Sequence, residues 1–348
     1  MDVDGILGRA LEGGGIGGDD ALRLLSLEDP ASVSKLFAAA RELRDANFGN
    51  RVFLYGFVYF STYCGNECAF CHYRRQHPIA RYRKGREEVV ALAGSLMDSD
   101  INLVDLTMGE DPAMHADGCS ELIDIVSAVD SAVDIPIMVS PGVVPREAFG
   151  ALAEAGADWY ACYQETYNRS LFGRLRVNQG FDARVAARES AVEHGILAED
   201  GIMAGVGDTV ADRADSVMRM GAGCDQVRAM TFVPQEGTPM WESGTVGTVE
   251  ELKVVAVLRL AYPDKLIPAS LDVEGLGGLR PRLDAGANVV TSIVPPKAGL
   301  AGVAQKDLDI ESGKRSVRAV FECLDSMGMK AASNAEYSRF VKERKASL

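Results

Sequence analysis

The sequence predicts an α/β protein, a closed (β/α)8 barrel of the TIM type with a helical extension before it and helices after it. Two observations point there. From residue 51 onward, short β-branched and aromatic runs alternate with stretches of helical period, and there are eight such runs. Ionisable residues then gather just past the ends of those runs, where barrels of this kind carry their chemistry.

The elements follow in order. Residues 19–47 read as two or three helices divided at Asp29-Pro30. The predicted strands are 51–60, 102–107, 135–139, 158–163, 201–206, 227–232, 265–270 and 288–293. Between the first two lies REEVVALAGSLMDSD, where Val89, Leu92, Ala93 and Leu96 share one buried helical face. Strands separated by helices must pair in parallel, and eight units are enough to close a ring. Residues 314–327 and 334–345 are helical in period, with Gly328 ending the first. This divides the chain into an extension, 1–50, a barrel, 51–312, and C-terminal helices packed on it, 313–348.

Composition limits the partners. The 348 residues are 47% hydrophobic, sufficient for a large core, and no Pro/Ser-rich linker splits them. Thirty-six basic against fifty acidic residues give a net charge of −14, which disfavours nucleic acid and anionic membranes. No basic segment leads into an apolar core at the N-terminus, and no apolar run is long enough to span a bilayer. Seven cysteines, three of them clustered, do not resemble a disulfide framework; a reducing cytoplasm fits.

The cluster is Cys64, Cys68 and Cys71 in CGNECAFC, directly after the run RVFLYGFVYFST. Three thiolates at that spacing suit three irons of a [4Fe–4S] cube and leave the fourth iron open to a small molecule. The alternative is zinc completed by His72 or His77, although structural zinc normally brings a second ligand pair downstream. Cys119, Cys162, Cys224 and Cys323 are isolated and read as small core residues.

Other candidates sit at the strand ends. Asp105 and Arg228 lie within apolar strands, where a charge is costly unless paired, so each either lines the barrel interior or forms a structural ion pair. Glu165 and Asp272 follow strands four and seven, in loops where surface acids are also common, and Ser270 is the last residue of strand seven. The glycines of GIMAGVGDT, Gly201, Gly205 and Gly207, either let backbone approach a cofactor or form a tight turn, and Gly109 has the same two readings.

The cysteine frame followed by Tyr73 resembles that of the radical S-adenosylmethionine (SAM) superfamily. GNRVFLYGFVYFSTYCGNECAFC, YQETY, FDAR and PQEGTPM are similar to segments of the branch that contains biotin synthase and the hydrogenase maturase HydE. VDLTMGEDP, LFGRLRVNQGFDARVAAR, RAMTFVPQEGTP and LIPASLDVEGLGGLRPRLDAGANVVTSIVPP resemble its lysine-rearranging members of pyrrolysine biosynthesis, over roughly residues 20–335. The chain departs from them in a more basic loop, HYRRQHPIARYRK, and in His72, which stands where an aromatic is expected.

The resemblance implies a [4Fe–4S] cluster on Cys64, Cys68 and Cys71 and S-adenosylmethionine held by Tyr73, Glu165, Arg184 and Met203. It implies L-lysine as substrate, bound by Asp105, Arg228, Ser270 and Asp272. The implied reaction is isomerisation to (3R)-3-methyl-D-ornithine through hydrogen abstraction by a 5′-deoxyadenosyl radical, fragmentation and recombination. An electron donor such as ferredoxin or flavodoxin is implied too, and the alternative is another enzyme of the branch acting on a different small substrate. A monomer is the simplest assembly consistent with this reading.

Overall fold

The computed structural model describes residues 2–295, 298–300, 302 and 316–348. Its eight barrel strands are β1 (Arg51–Ser61), β2 (Leu103–Met108), β3 (Ile137–Ser140), β4 (Ala157–Ala161), β5 (Leu197–Ala204), β6 (Gln226–Thr231), β7 (Pro268–Ser270) and β8 (Val289–Ile293). They pair in parallel in the order β6-β5-β4-β3-β2-β1-β8-β7. The ring closes at a bridge between Gln226 and Leu266, where Val227 N–H reaches Leu266 O and Leu266 N–H reaches Asp225 O, both at 3.0 Å. The predicted (β/α)8 barrel is thus the fold.

The period of two along β1 decides which residues enter the barrel. Phe53, Tyr55, Phe57 and Tyr59 pack inside with Leu103, Met138, Trp159, Leu197, Leu266 and Val289. Val52, Leu54, Val58 and Phe60 point outward into the helical layer. Gly56 belongs to the outward set, and a Cβ there would stand 2.6 Å from Ile101 Cδ1 and 2.8 Å from Leu96 Cδ2. The helix Arg86–Met97 therefore lies flush on β1.

The N-terminal end of the barrel is plugged. A short strand, β9 (Lys330–Ala331), pairs with Arg51 and Val52 at the start of β1. The helix that follows, Asn334–Lys345, inserts Tyr337 and Val341 among the inward-facing residues. Tyr55 Oη lies 2.6 Å from Tyr337 Oη and donates to Gln226 Oε1 at 2.9 Å. Buried Asn102 completes the seam: its Oδ1 accepts from Leu54 N–H at 2.8 Å, and its Nδ2 donates to Ala332 O and Asn334 Oδ1.

Ahead of the barrel are helices Val3–Leu11, Gly18–Leu25 and Pro30–Phe48, the first outside the range expected to be helical. Asp2 and Asp29 cap the first and third, each accepting a backbone N–H three residues on. Buried Lys253 of the helix Thr248–Ala261 fixes the second, donating to Leu25 O at 2.8 Å and Leu27 O at 3.0 Å.

Three strands differ from expectation. β5 starts at Leu197 because Glu199 and Asp200, which look like loop acids, are fully buried. Asp200 accepts from Tyr167 Oη at 2.7 Å and pairs with Arg188 at 3.3 Å. β4 stops at Ala161 because the chain then turns along β5, and β7 keeps only three residues. Of the predicted helix 314–327 the structure gives Val317–Ser326, capped by Ser316; its expected start and the division at 312 lie outside the described residues.

Replacing Asn102 with alanine strands the Leu54 amide and frees the C-terminal plug. Asn102→Ala should cost about 2–3 kcal/mol in urea unfolding, the penalty of a lost buried hydrogen-bond set. The exposed Asn50→Ala, which loses one bond to Gly328 O, should stay within about 0.5 kcal/mol of the parent.

Candidate active site

The cysteine loop leaves β1 and is pinned to the loop after β2. Buried Asp111 accepts both Nε and Nη2 of Arg83 at 2.7 Å, Ser61 Oγ at 2.6 Å and Ala113 N–H at 3.0 Å. Arg81 donates to the carbonyls of Thr62, Tyr73, Arg74 and His77, satisfying a loop with no ladder of its own. Gly65 N–H reaches Glu110 O at 2.8 Å. A Cβ at Gly109 would sit 2.3 Å from Tyr63 O, so this glycine is required by close approach.

All three cysteine sulfurs receive donors. Asn66 N–H points to Cys64 Sγ at 3.5 Å and Tyr73 N–H to Cys71 Sγ at 3.4 Å, while Gln179 Nε2 lies 3.0 Å and Arg176 Nη1 3.7 Å from Cys68 Sγ. Such bonds suit thiolates bound to iron, whose negative charge they share. Burial pushes the free thiols of Cys64 and Cys71 up, so a metal would have to displace their protons. The donor set fits a cluster. The two histidines of the zinc alternative engage each other: His77 Nδ1 lies 2.8 Å from His72 O and the rings stand edge to face at 4.8 Å. Burial, then His77 and Arg81, lowers His72 to about 4.

Glu165 adopts a left-handed backbone, φ +65°, held by its N–H to Gly201 O and its carbonyl from Met203 N–H, both at 2.9 Å. A glutamate in that region marks strain maintained by its surroundings, as functional sites often show. Glu165 and Arg184, both expected at the cofactor, each have a separate ion-pair partner within the protein. Glu165 Oε1 is ion-paired with Arg176 and its Oε2 has no hydrogen-bond partner. Arg184 pairs with Glu110 at 3.0 Å and donates to Tyr163 O at 2.9 Å. Burial pushes the Glu165 carboxyl up, against the pull of Arg176 and Arg184. At Glu110 burial is outweighed by Arg184, Asn66 and Arg176, which together hold it below the usual range.

Deeper in the barrel, Arg228 donates through Nε to Glu199 Oε1 at 2.6 Å and through Nη1 to Thr291 Oγ1 at 3.0 Å; Nη2 has no partner. Its guanidinium lies 5.4 Å from the centre of the Tyr163 ring. Gly201 opposes it on β5, and a Cβ there would reach 3.3 Å from Arg228 Cβ. Gly205 and Gly207 have φ of +91° and +89°, the turn reading of that glycine run. Asp105 Oδ1 accepts from Ser140 Oγ at 2.8 Å and Thr107 Oγ1 at 2.9 Å, leaving Oδ2 alone. Burial raises Asp105 to about 7, aided by the charge of Glu199 and opposed by its two hydroxyl partners and Arg228. Asp272 accepts from Ser292 Oγ at 2.8 Å, Ser270 Oγ at 3.2 Å and Tyr59 Oη at 3.2 Å.

One cavity at the C-terminal mouth brings these residues together. Cys64, Cys68, Cys71, Tyr73, Glu165, Arg184 and Met203 line it, and so do Asp105, Arg228, Ser270 and Asp272. Arg176, Glu110, Gln179 and Glu199 were not singled out from the sequence. Arg176 and Gln179 stand in the quoted LRVNQ, and Glu199 lies two residues before Gly201, at an inward position of the true β5.

Comparison with known proteins agrees with this architecture. The Radical SAM superfamily model matches residues 58–220. The chain is 44% identical over 337 residues to the 3-methylornithine synthase of Methanosarcina barkeri, covering 97% of this chain and 96% of that protein. It is 31% identical over 271 residues to the [FeFe] hydrogenase maturase subunit HydE of Thermotoga maritima, covering 76% and 77% respectively. The crystal structure of methylornithine synthase (PylB) superposes with a TM-score of 0.92 at 44% identity, covering 96% of this chain and 99% of that one.

The raised Asp105 carboxyl has a stability signature. Its folded value of about 7 lies above the ordinary 3.8, so folding favours the neutral form. That contribution is complete below the ordinary value and is lost as pH rises through the folded one. Asp105→Asn should therefore gain stability relative to the parent as pH rises from about 4 to about 7 in urea titrations, with no further gain above that. Parallel pH profiles for the two proteins would refute the shift.

Proposed function

Because the chain belongs to the radical SAM superfamily, in the group of the 3-methylornithine synthases with their HydE and biotin synthase relatives, we propose that it isomerises L-lysine to (3R)-3-methyl-D-ornithine, the first step of pyrrolysine biosynthesis. The observation that carries this reading is the charge set at the inner end of the cavity. Glu199 and Asp105 act on the guanidinium of Arg228, and Asp105, Arg228 and Asp272 line the same cavity. Two carboxyl groups and one guanidinium match the two ammonium groups and the carboxylate of lysine.

Each residue then has a task. Arg228, oriented by Glu199 and Thr291, offers its remaining nitrogen to the substrate carboxylate. Asp272, fixed by Ser270, Ser292 and Tyr59, takes one ammonium group, and Asp105 takes the other. Cys64, Cys68 and Cys71 hold a [4Fe–4S] cluster, and Glu165 and Arg184 hold the amino and carboxylate ends of S-adenosylmethionine, with Tyr73 and Met203 beside its adenine. When bound, these two groups supply a 5′-deoxyadenosyl radical after one-electron reduction by a carrier such as ferredoxin or flavodoxin. The plugged floor and the aromatic wall of β1 confine the substrate and keep water from it.

Anaerobically reconstituted protein given dithionite, S-adenosylmethionine and L-lysine should form methylornithine, read by mass spectrometry. Cofactor cleavage without that product would move the assignment to another substrate of the same branch. Asp272→Ala should raise the apparent KM for lysine by about 30-fold or more, from roughly 2 kcal/mol or more for losing one partner of a buried charge pair. The cluster's visible absorbance should be unchanged; its loss would instead place Asp272 in support of the cluster.

A further inference from the structure

The three cysteine sulfurs are not treated alike. Cys64 and Cys71 accept from the backbone amides of residues two positions on, a contact that any side chain would preserve. Cys68, the most buried of the three, accepts from side chains: Gln179 Nε2 at 3.0 Å and, more distantly, Arg176 Nη1 at 3.7 Å.

The geometry decides which end of the Gln179 amide meets the sulfur. Its Oε1 accepts from Arg176 Nη1 at 3.3 Å and from Arg184 Nη1 at 3.4 Å. Two guanidiniums on one side leave only the NH2 end for Cys68. The residue rides a turn between the helices Arg169–Leu175 and Phe181–Glu193, with Asn178 at φ +60° and Gln179 N–H bonded to Arg176 O at 3.1 Å. That turn is clamped to the cysteine loop by Asn178 Nδ2 to Glu67 Oε2 at 3.2 Å and by Ala69 N–H to Leu175 O at 2.8 Å.

We propose that Gln179 is a positioning residue that tunes the cluster through Cys68 and ties that tuning to occupancy of Arg184 by the cofactor. The proposal rests on the cluster and cofactor reading above. A donor to a cluster sulfur stabilises the more negative, reduced state and raises the reduction potential. Arg184 shares Gln179 Oε1 with Arg176 before the cofactor arrives; a carboxylate on Arg184 competes for that guanidinium and leaves the amide to Arg176. The strength of the donation to Cys68 thereby follows the state of the cofactor site.

The test is an anaerobic redox titration of the reconstituted protein followed by electron paramagnetic resonance, with and without S-adenosylmethionine. Gln179→Met, unbranched, with no donor and only a weakly accepting thioether, should bind iron but show a more negative midpoint potential and a smaller cofactor-induced shift. Asn178→Ala removes the neighbouring tether and gives up no donor to sulfur, so its midpoint should match the parent. A midpoint and shift unchanged in Gln179→Met, or moved equally in Asn178→Ala, would overturn the proposal. If Gln179→Met retains no iron, native protein labelled with nitrogen-15 in glutamine side chains serves: a hyperfine coupling to the reduced cluster is expected, and its absence rejects the assignment. Native protein whose spectrum ignores the cofactor would defeat the cofactor reading itself, a distinct outcome.

Discussion

A charge carried into the apolar interior of a barrel must bring its counter-charge with it, and this rule orders the inside of the molecule. Arg228 is tolerable there only because Glu199, on the adjacent strand, meets it at 2.6 Å. Asp200 beside it answers Arg188, Glu165 answers Arg176, and Arg184 answers Glu110. The partners come from different strands and loops, so the pairs fix the relative placement of elements as well as their charge.

These pairs leave a small remainder, and the remainder is where chemistry is possible. Asp105 Oδ2, Glu165 Oε2 and Arg228 Nη2 are buried without partners. Each such atom is costly in the folded protein and is more readily explained by a polar ligand than by packing. All three residues border the cavity that also receives the cysteines, so the unsatisfied groups and the thiols share one chamber.

Much of this was legible in the sequence. The strand–helix alternation gave the barrel, and the cost of a charge within an apolar strand marked Asp105 and Arg228 as interior or ion-paired residues. The cysteine spacing, carried by a strand end, marked the mouth. What escaped detection shares a physical cause: Glu199 and Asp200 are buried acids whose partners lie far along the chain, and an acidic pair before a glycine reads as a loop. Burial of an ion pair is a property of two distant segments, so no local window reports it. Arg176 and Gln179 were hidden for the related reason that a turn between helices looks like surface until the cysteine loop is laid against it.

The short strand Lys330–Ala331 has a consequence for biogenesis. β1 carries the cysteines at one end and is flanked by β2, by β8 and, at its start, by β9. Two of those three neighbours, β8 and β9, come after every other strand of the sheet in chain order. Until they pair, β1 is the open edge of a partial sheet, with the cysteine loop hanging from an unfinished wall. The wall that carries the cysteines is therefore completed late in folding, when contacts distant along the chain have formed.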